Sequence, residues 1–221
     1  EMCAQGEGGE IDEDAATQWF RKAAEQGHAG AQNNLAERLV ETNSAEAIDW
    51  DKKAAEQNCV PAQYNLGRHL LEGDGVPVDS KAGVQWLRLA AAAHHAEAQY
   101  SFGCACADGI GTTRDTSEAV KWFRQAAAAG HASAQLKLTQ HLQSTATSTL
   151  DETEAFELVQ QAAEQGIAEA QTNLGLCYAE GRGVEADETQ AVEWFAKAAE
   201  QGEPQAQCRL AERLRDGRGA E

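Results

Sequence analysis

The dipeptide Ala-Gln returns at a nearly constant interval along the chain, and this periodicity constrains the fold more than any other feature. Its alanines are Ala31, Ala62, Ala98, Ala134, Ala170 and Ala206, so the steps are 31, 36, 36, 36 and 36 residues. A second marker follows the same series at Trp19, Trp50, Trp86, Trp122, Leu158 and Trp194. Self-similarity at such a period is the signature of repeat proteins, in which each unit packs on its neighbours. The sequence therefore predicts an array of about six repeats.

Each repeat is expected to form two helices, helix A beginning near the Ala-Gln pair and helix B carrying the Trp marker. In both helices apolar residues recur at i, i+4 and i+8, as on the buried stripe of a helix. In the third repeat these residues are Ala62, Leu66 and Leu70 in helix A and Ala82, Trp86 and Ala90 in helix B. An apolar share of 42% with only 6% aromatic residues, and only three prolines, also favours helices over strands.

An Asp or Asn precedes each helix-B marker by seven residues and is predicted to be the N-cap of that helix. Such a side chain accepts a hydrogen bond from a first-turn amide. The predicted N-caps are Asp12, Asn43, Asp79, Asp115, Asp151 and Asp187. In four copies Glu46, Glu118, Glu154 or Gln190 follows three residues later, which predicts a capping box.

A Gly-x-Gly loop separates helix A from helix B and begins at residues 6, 73, 109, 181 and 217. A glycine-rich loop leading into a helix can bind phosphate, whereas glycine past a helix end often only stops the helix. Because an Asp already occupies the next N-cap and would compete for the same amides, the loop is predicted to be a structural corner. The second repeat lacks five residues here and the fifth reads "QSTATSTLD", so we expect local irregularities at both places.

The segment "AQTNLGLCYAEGRGVEADETQAVEWFAKAAEQG" (170–202) resembles the Sel-one-like repeats, a subclass of the tetratricopeptide-like helical repeats, and the resemblance extends over essentially the whole chain. It implies an all-α fold, a right-handed α-solenoid of stacked antiparallel helix pairs, with helices A lining a concave face and helices B a convex one. It also implies a scaffold or adaptor in protein complexes.

A single array is expected over residues 1–221. Its units are predicted at 1–28, 29–59, 60–95, 96–131, 132–167, 168–203 and, in part, 204–221. Both ends of the chain fall within a repeat, and we expect further repeats to stack on them.

The charge of the chain narrows the choice of partner. Asp and Glu number 36 and Lys and Arg 18, for a formal net charge of −18. Such a surface repels nucleic-acid phosphate and anionic lipid. No segment approaches the roughly 18 apolar residues that cross a bilayer. The expected partner is a protein or a peptide, with no nucleic acid and no membrane insertion; a basic partner is compatible with this charge.

No grouping of catalytic or metal-ligating residues stands out from the repeat, so the sequence predicts no enzyme activity, no cofactor and no metal. His28, His95 and His131 occupy one turn position of successive repeats, about 10 Å apart, too far to share a metal. Cys104 and Cys106 point to different faces of one helix. The disulfide pattern of a cysteine-rich branch of the family is absent, so the six cysteines are expected to be free thiols, which favours a reducing compartment.

The candidate binding residues lie on helix A at positions between those that packing fixes, on the face that the resemblance makes concave. Two neighbouring columns hold mostly polar or aromatic side chains, and a third changes character in every repeat. The candidates are Asn33, Asn34, Tyr64, Asn65, Arg68, Tyr100, Ser101, Cys104, Lys137 and Asn173. Aromatic rings supply apolar contact area and amides bind backbone groups, as in peptide-binding grooves. The alternative is that Tyr and Asn merely fill their places in the repeat.

The leading hypothesis is a non-catalytic scaffold that binds a peptide or protein segment on the concave face, with Tyr64, Asn65, Arg68 and Tyr100 at its centre. One alternative is a hydrolase acting on a cell-wall or β-lactam-like substrate, an activity that has been suggested for the cysteine-rich branch. The other is a purely architectural repeat segment.

Overall fold

The computed structural model describes residues 12–145 and 149–217, with the backbone alone described at 142–145 and 149–151. The described residues form twelve helices and no strand: α1 Glu13–Glu25, α2 Ala29–Leu39, α3 Ser44–Glu56, α4 Val60–Glu72, α5 Ser80–Ala92, α6 Ala96–Asp108, α7 Thr116–Ala128, α8 Ala132–Thr145, α9 Thr149–Glu164, α10 Ala168–Glu180, α11 Glu188–Glu200 and α12 Pro204–Arg215. The even-numbered helices are helices A and the odd-numbered ones helices B. None of these described helices is both long enough and apolar enough to cross a bilayer.

The chain divides after Ala119 into two compact units, here called unit 1 and unit 2 and described separately. Within unit 1, consecutive helices from α1 through α6 pack on each other. Within unit 2 the same holds from α8 to α12. Short turns between packed helices make neighbours antiparallel, so each unit is a stack of helix pairs.

Helix B begins at the predicted N-cap in five copies. The side-chain oxygens of Asp12, Asn43, Asp79, Asp115 and Asp187 accept the amide three residues on, at distances of 2.8, 3.3, 3.0, 2.9 and 3.0 Å. The sixth prediction is wrong, because α9 begins at Thr149 and Asp151 is its third residue.

In three of the four predicted capping boxes, the backbone amide of the N-cap residue bonds to another partner. Asn43, Asp115 and Asp187 donate their backbone N–H to a carbonyl of the preceding helix A. The Glu46 carboxylate instead accepts hydrogen bonds from the Arg21 guanidinium and the Trp50 indole, which hold the pKa of Glu46 below its usual range.

The Gly-x-Gly loops are structural corners in the copies that the structure describes. Gly73, Gly109 and Gly181 end helices A in the left-handed conformation, with φ of 75°, 74° and 69°. The second glycine of the corner packs against the preceding helix B: a Cβ on Gly111 would lie 2.1 Å from the Ser80 carbonyl oxygen. No side chain fits there, so this glycine sets the spacing of successive repeats. The loop at residue 6 and Cys3 lie outside the described residues.

Both irregular repeats differ in helix length. In the second repeat α2 has 11 residues, whereas α4 in the third has 13. In the fifth repeat α8 has 14 residues and α9 has 16, and their connection at 146–148 lies outside the described residues. The two altered loops are therefore accommodated by changes in the helices that flank them.

The Ala-Gln marker joins helix A to the helix B before it. Its alanines are all buried, and its glutamines donate their Nε2–H to the carbonyl eight residues earlier, in the last turn of helix B. These glutamines are Gln32, Gln63, Gln99, Gln135, Gln171 and Gln207. The last carbonyls of a helix have no partner within it. Each of these carbonyls accepts the amide three residues on in the turn, and the glutamine adds a second hydrogen bond that connects the two helices.

The Trp marker packs where helix B of the preceding repeat meets helix A of its own repeat. Trp50 lies against Ala24, Ala31 and Leu35. Trp194 packs in the same way against the apolar cluster that includes Val159, Ala170 and Leu174. In α5 the predicted inner stripe of helix B is confirmed at Ala90, which is buried. Ala82 and Trp86 are only half-buried, whereas the residues that follow them, Gly83 and Leu87, are buried. The residue after the Trp therefore fills the core of its own repeat.

The turn from helix B to helix A also uses a left-handed residue. This position holds Gly27, Gly130, Gly166 and Gly202, but Asn58 (φ 63°) and His94 (φ 62°) occupy it in two copies. An asparagine tolerates this conformation better than a histidine does.

Replacing His94 by glycine is expected to stabilise the fold. A non-glycine residue in the left-handed region costs about 1–2 kcal/mol, which glycine removes. Glycine also raises the entropy of the unfolded chain, which reduces this gain by about 0.4–1 kcal/mol. Because the His94 side chain is exposed, His94→Gly should raise the free energy of unfolding by about 0.5–1 kcal/mol. Urea unfolding followed by circular dichroism measures this, with Asn58→Gly as the matched control of smaller effect. A destabilised His94→Gly protein would contradict the assignment.

Candidate functional site

The predicted binding residues of unit 1 lie on its three helices A. Helix α2 carries Asn33 and Asn34, α4 carries Tyr64, Asn65 and Arg68, and α6 carries Tyr100, Ser101 and Cys104. Arg68 is exposed, Asn33 is buried, and the other six are half-buried. We call this row of residues the helix-A face of unit 1.

In unit 2 the same columns are less open. Lys137 on α8 is exposed and Asn173 on α10 is half-buried, but Leu136 and Thr172, which belong to the first column, are buried. The sequence-based expectation that packing leaves this column free is therefore wrong for Leu136 and Thr172, as it is for Asn33. Leu136 belongs to a buried apolar cluster with Val159 and Leu174. The Asn33 side chain is hydrogen-bonded to Asn65 of the next helix A, and the Thr172 hydroxyl donates to the Ala168 carbonyl of its own helix.

The Tyr64 ring packs against the residue that precedes the next helix A. Its ring stacks on the His95 imidazole, with centroids 4.9 Å apart and planes inclined by 26°. His95 is the N-cap of α6, and its Nδ1 accepts the Ala98 amide at 3.3 Å. Tyr64 therefore has a packing role and also presents part of its surface to solvent.

Two asparagines form a hydrogen-bonded path across α2 and α4. The Asn65 side-chain amide donates to Asn33 Oδ1 at 3.5 Å, and the Asn33 amide donates to Glu37 Oε1 at 2.8 Å. Glu37 is exposed. Beside them the Arg68 guanidinium pairs with Glu72 at 3.3 Å. The path thus begins at a half-buried amide and ends at a surface carboxylate.

Beneath this path lies Asp51, a buried carboxylate that the sequence analysis missed. Asp51 on α3 is only 2% exposed, and its Oδ1 has no hydrogen-bond partner among the described residues. Burial raises the pKa of Asp51 to about 7; the Asn65 amide and Arg68 act to lower it, and the Glu37 carboxylate acts to raise it. The Asp51 carboxylate therefore faces Asn65, Glu37 and Arg68 on the helix-A face.

A signal for Asp51 was present in the repeat. It occupies the position after the Trp marker, where the other copies have Phe20, Leu87, Phe123, Val159 and Phe195. An acid in an otherwise apolar column breaks the pattern that packing requires, and such breaks are expected at functional or strained places.

His69 lies between two carboxylates. Its Nε2 is 4.0 Å from Asp51 Oδ2 and its Nδ1 is 3.5 Å from Asp74 Oδ2, without the alignment of a hydrogen bond at Nδ1. Burial, and then the Arg68 charge, lower the pKa of His69. The His69 imidazole therefore lies between the buried carboxylate and the surface one.

Three other histidines cap helices A. His28 and His131, like His95, accept the amide three residues on at their N-caps. The five described cysteines are free thiols, and burial raises the pKa of Cys106 and Cys177. Among the residues that the structure describes, His, Cys, Asp and Glu form no group of three placed to hold a metal ion.

Comparison with known proteins places this geometry in a family. The model of the Sel1 repeat matches residues 1–28, 29–59, 60–95, 96–131, 141–167, 168–203 and 204–221. A search of curated proteins gives no match.

Among solved structures, c5321, a protective antigen present in uropathogenic Escherichia coli strains and displaying an SLR fold, is 34% identical with a TM-score of 0.89 over 98% of this chain and 47% of its own. The Sel1 repeat protein from Oxalobacter formigenes is 31% identical with a TM-score of 0.83 over 96% of this chain and 62% of its own. The chain thus spans about half the length of the first protein and less than two thirds of the second.

A more distant structure has the same type of fold. YrrB, a TPR protein with an unusual peptide-binding site, is 20% identical with a TM-score of 0.54 over 89% of this chain and 99% of its own. The all-α repeat fold predicted from the periodicity is confirmed by these matches and by the helices themselves. Proteins built from such repeats are generally protein-interaction scaffolds. Because the repeat model matches along nearly the whole chain, the protein belongs to the Sel1 repeat family.

Proposed function

We propose that the chain is a non-catalytic scaffold that binds a peptide or an extended protein segment on the helix-A face of unit 1. One observation supports this proposal above the others: two half-buried tyrosines lie beside hydrogen-bonding amides on consecutive helices A. Tyr64 and Asn65 lie on α4 and Tyr100 lies on α6, with Asn33 on the other side on α2. The partner is a protein or peptide rather than a nucleic acid, since the net charge of −18 repels phosphate.

This combination suits an extended segment. Tyrosine supplies a large, rigid contact area at low cost in side-chain entropy, and its hydroxyl remains able to form a hydrogen bond. Amide side chains can bind the N–H and C=O groups of a passing backbone. The stack on His95 holds the Tyr64 ring in one orientation, so less entropy is lost when a partner binds. Lys137 and Asn173 in unit 2 are secondary candidates, because their columns are partly closed by Leu136 and Thr172.

Substituting the tyrosines tests the proposal directly. A library of 12-residue peptides displayed on phage would be selected on the wild-type protein, and the affinity of the best binders measured by calorimetry. We expect Tyr100→Ala to weaken binding at least about tenfold, as for a tyrosine at the centre of an interface. Tyr64→Ala should do the same and also lower the melting temperature, because it removes the stack on His95.

The matched control is Tyr178→Ala on α10. Tyr178 is half-buried on a helix A and packs edge-on against Phe156 at 5.6 Å, but it belongs to unit 2. This variant should lose stability and keep its affinity for the selected peptides. Failure of the wild-type protein to select any peptide that depends on Tyr64 or Tyr100 would refute the proposal.

A further inference from the structure

The hydrogen-bonding path on the helix-A face of unit 1 runs in one direction and ends in an acceptor. Asn65 donates to Asn33, and Asn33 donates to Glu37. An ionised carboxylate has no hydrogen to donate and accepts through both oxygens. Glu37 is exposed, so the surface end of the path offers acceptor capacity to whatever approaches it.

A second carboxylate, Asp51, lies next to Asn65 at the start of the path and has unused capacity to accept hydrogen bonds. Asp51 Oδ1 has no hydrogen-bond partner among the described residues, although Asp51 is only 2% exposed. Leaving a buried polar atom unpaired is unfavourable, and an unpaired buried charge is more so. Since the other copies place an apolar residue here, packing of the repeat does not require an acid at this position.

The charges around these two carboxylates are not balanced within the described part of unit 1. Arg68 is the cation that acts on Asp51, and it already pairs with Glu72 at 3.3 Å. Burial lowers the pKa of His69, which disfavours a positive charge there, and the group on its far side is another carboxylate, Asp74. The surroundings of Asn65 therefore present a negative field, which is stronger where the charge is shielded from water.

We infer that the segment bound on the helix-A face of unit 1 contributes an arginine or lysine side chain, which binds the Glu37 carboxylate beside Asn65 while the Asp51 carboxylate attracts it from below. This inference rests on the proposed function and adds the chemistry of the partner. The net charge of −18 favours the approach of a basic segment from a distance.

The peptides selected on phage provide the test. Among binders that require Tyr100, we expect enrichment of arginine and lysine, and replacement of the critical arginine by citrulline, its neutral analogue, should weaken binding at least about tenfold. At pH 8, where Asp51 is ionised, Glu37→Gln and Asp51→Asn should each weaken binding of the arginine peptide by roughly threefold to tenfold and leave binding of the citrulline peptide unchanged. Arg68→Gln should have the opposite sign and strengthen binding, because it removes the competing cation.

Stability measurements separate this role from a structural one. Asp51→Asn removes a buried unpaired charge, so the variant should be more stable than the wild type at pH 8 while binding the arginine peptide more weakly. Tyr100-dependent peptides that are uncharged or acidic, or that bind equally well with citrulline, would overturn the inference and leave the proposed function standing. Arg68→Gln weakening the binding would overturn it as well. If no peptide depends on the tyrosines, the proposed function fails and this inference fails with it.

Discussion

Gly111→Ala is expected to lower the free energy of unfolding by about 3–5 kcal/mol. Gly111 has a φ of 66°, and a Cβ there would lie 2.1 Å from the carbonyl oxygen and 2.6 Å from the carbonyl carbon of Ser80. These are backbone atoms in the first turn of α5, so no side chain can rotate to relieve the overlap. The corner and the helix it packs on would have to separate, and the contact between successive repeats would loosen. Urea unfolding followed by circular dichroism measures the effect.

Gly130→Ala separates the effect of the steric overlap from the effect of the left-handed backbone conformation. Gly130 also has a positive φ, 84°, but a Cβ there would meet nothing within 4 Å. Its substitution should cost only the left-handed strain, about 1–2 kcal/mol. Equal losses in the two variants would show that the corner glycine does not set the approach of successive repeats.

The stability difference between the wild type and Asp51→Asn is expected to shift by about 2–3 kcal/mol between pH 5 and pH 8, in favour of the variant. Burial raises the pKa of Asp51 from its ordinary value of 3.8 to about 7. Between pH 3.8 and about pH 7 the folded protein keeps a proton on Asp51 that the unfolded chain has released. The free energy of unfolding of the wild type therefore falls as the pH rises, until Asp51 is ionised in both states.

His69 contributes with the opposite sign, which is why the comparison with a variant is needed. Burial lowers the pKa of His69 from its ordinary value of 6.5. Below that value the unfolded chain takes up a proton that the folded protein does not, so stability falls as the pH is lowered. Both proteins carry His69, so most of its contribution cancels in their difference.

Asp49→Asn is the matched control for Asp51→Asn. Asp49 lies two residues away on the same helix α3 but is exposed, so its substitution should leave the pH profile of stability unchanged. Asp51→Leu restores the apolar residue found in the other copies and should also stabilise the protein at pH 8. A constant stability difference between the wild type and Asp51→Asn from pH 5 to pH 8 would contradict the burial of an ionisable carboxyl at this place.

Most of the fold was predictable because the residues that start and end each helix lie within the same repeat. The N-caps at Asp79 and Asp187 and the helix ends at Gly73 and Gly181 depend on neighbours a few residues away, and all were found where predicted. Asp151 failed as a cap because the fifth repeat has lost its corner glycines and its helix B begins earlier, at Thr149.

The sequence by itself determined the period, the two helices of each repeat and the place of every corner glycine in the described copies, since these are local properties repeated along the chain. Tertiary structure decided which side chains meet: Asn65 and Asn33 are 32 residues apart and come together only because successive helices A stack. It also decided that Asp51 is buried beside His69 and faces the helix-A face of unit 1. Burial and charge at a site depend on neighbours from other repeats, and a repeat pattern read one unit at a time does not contain them.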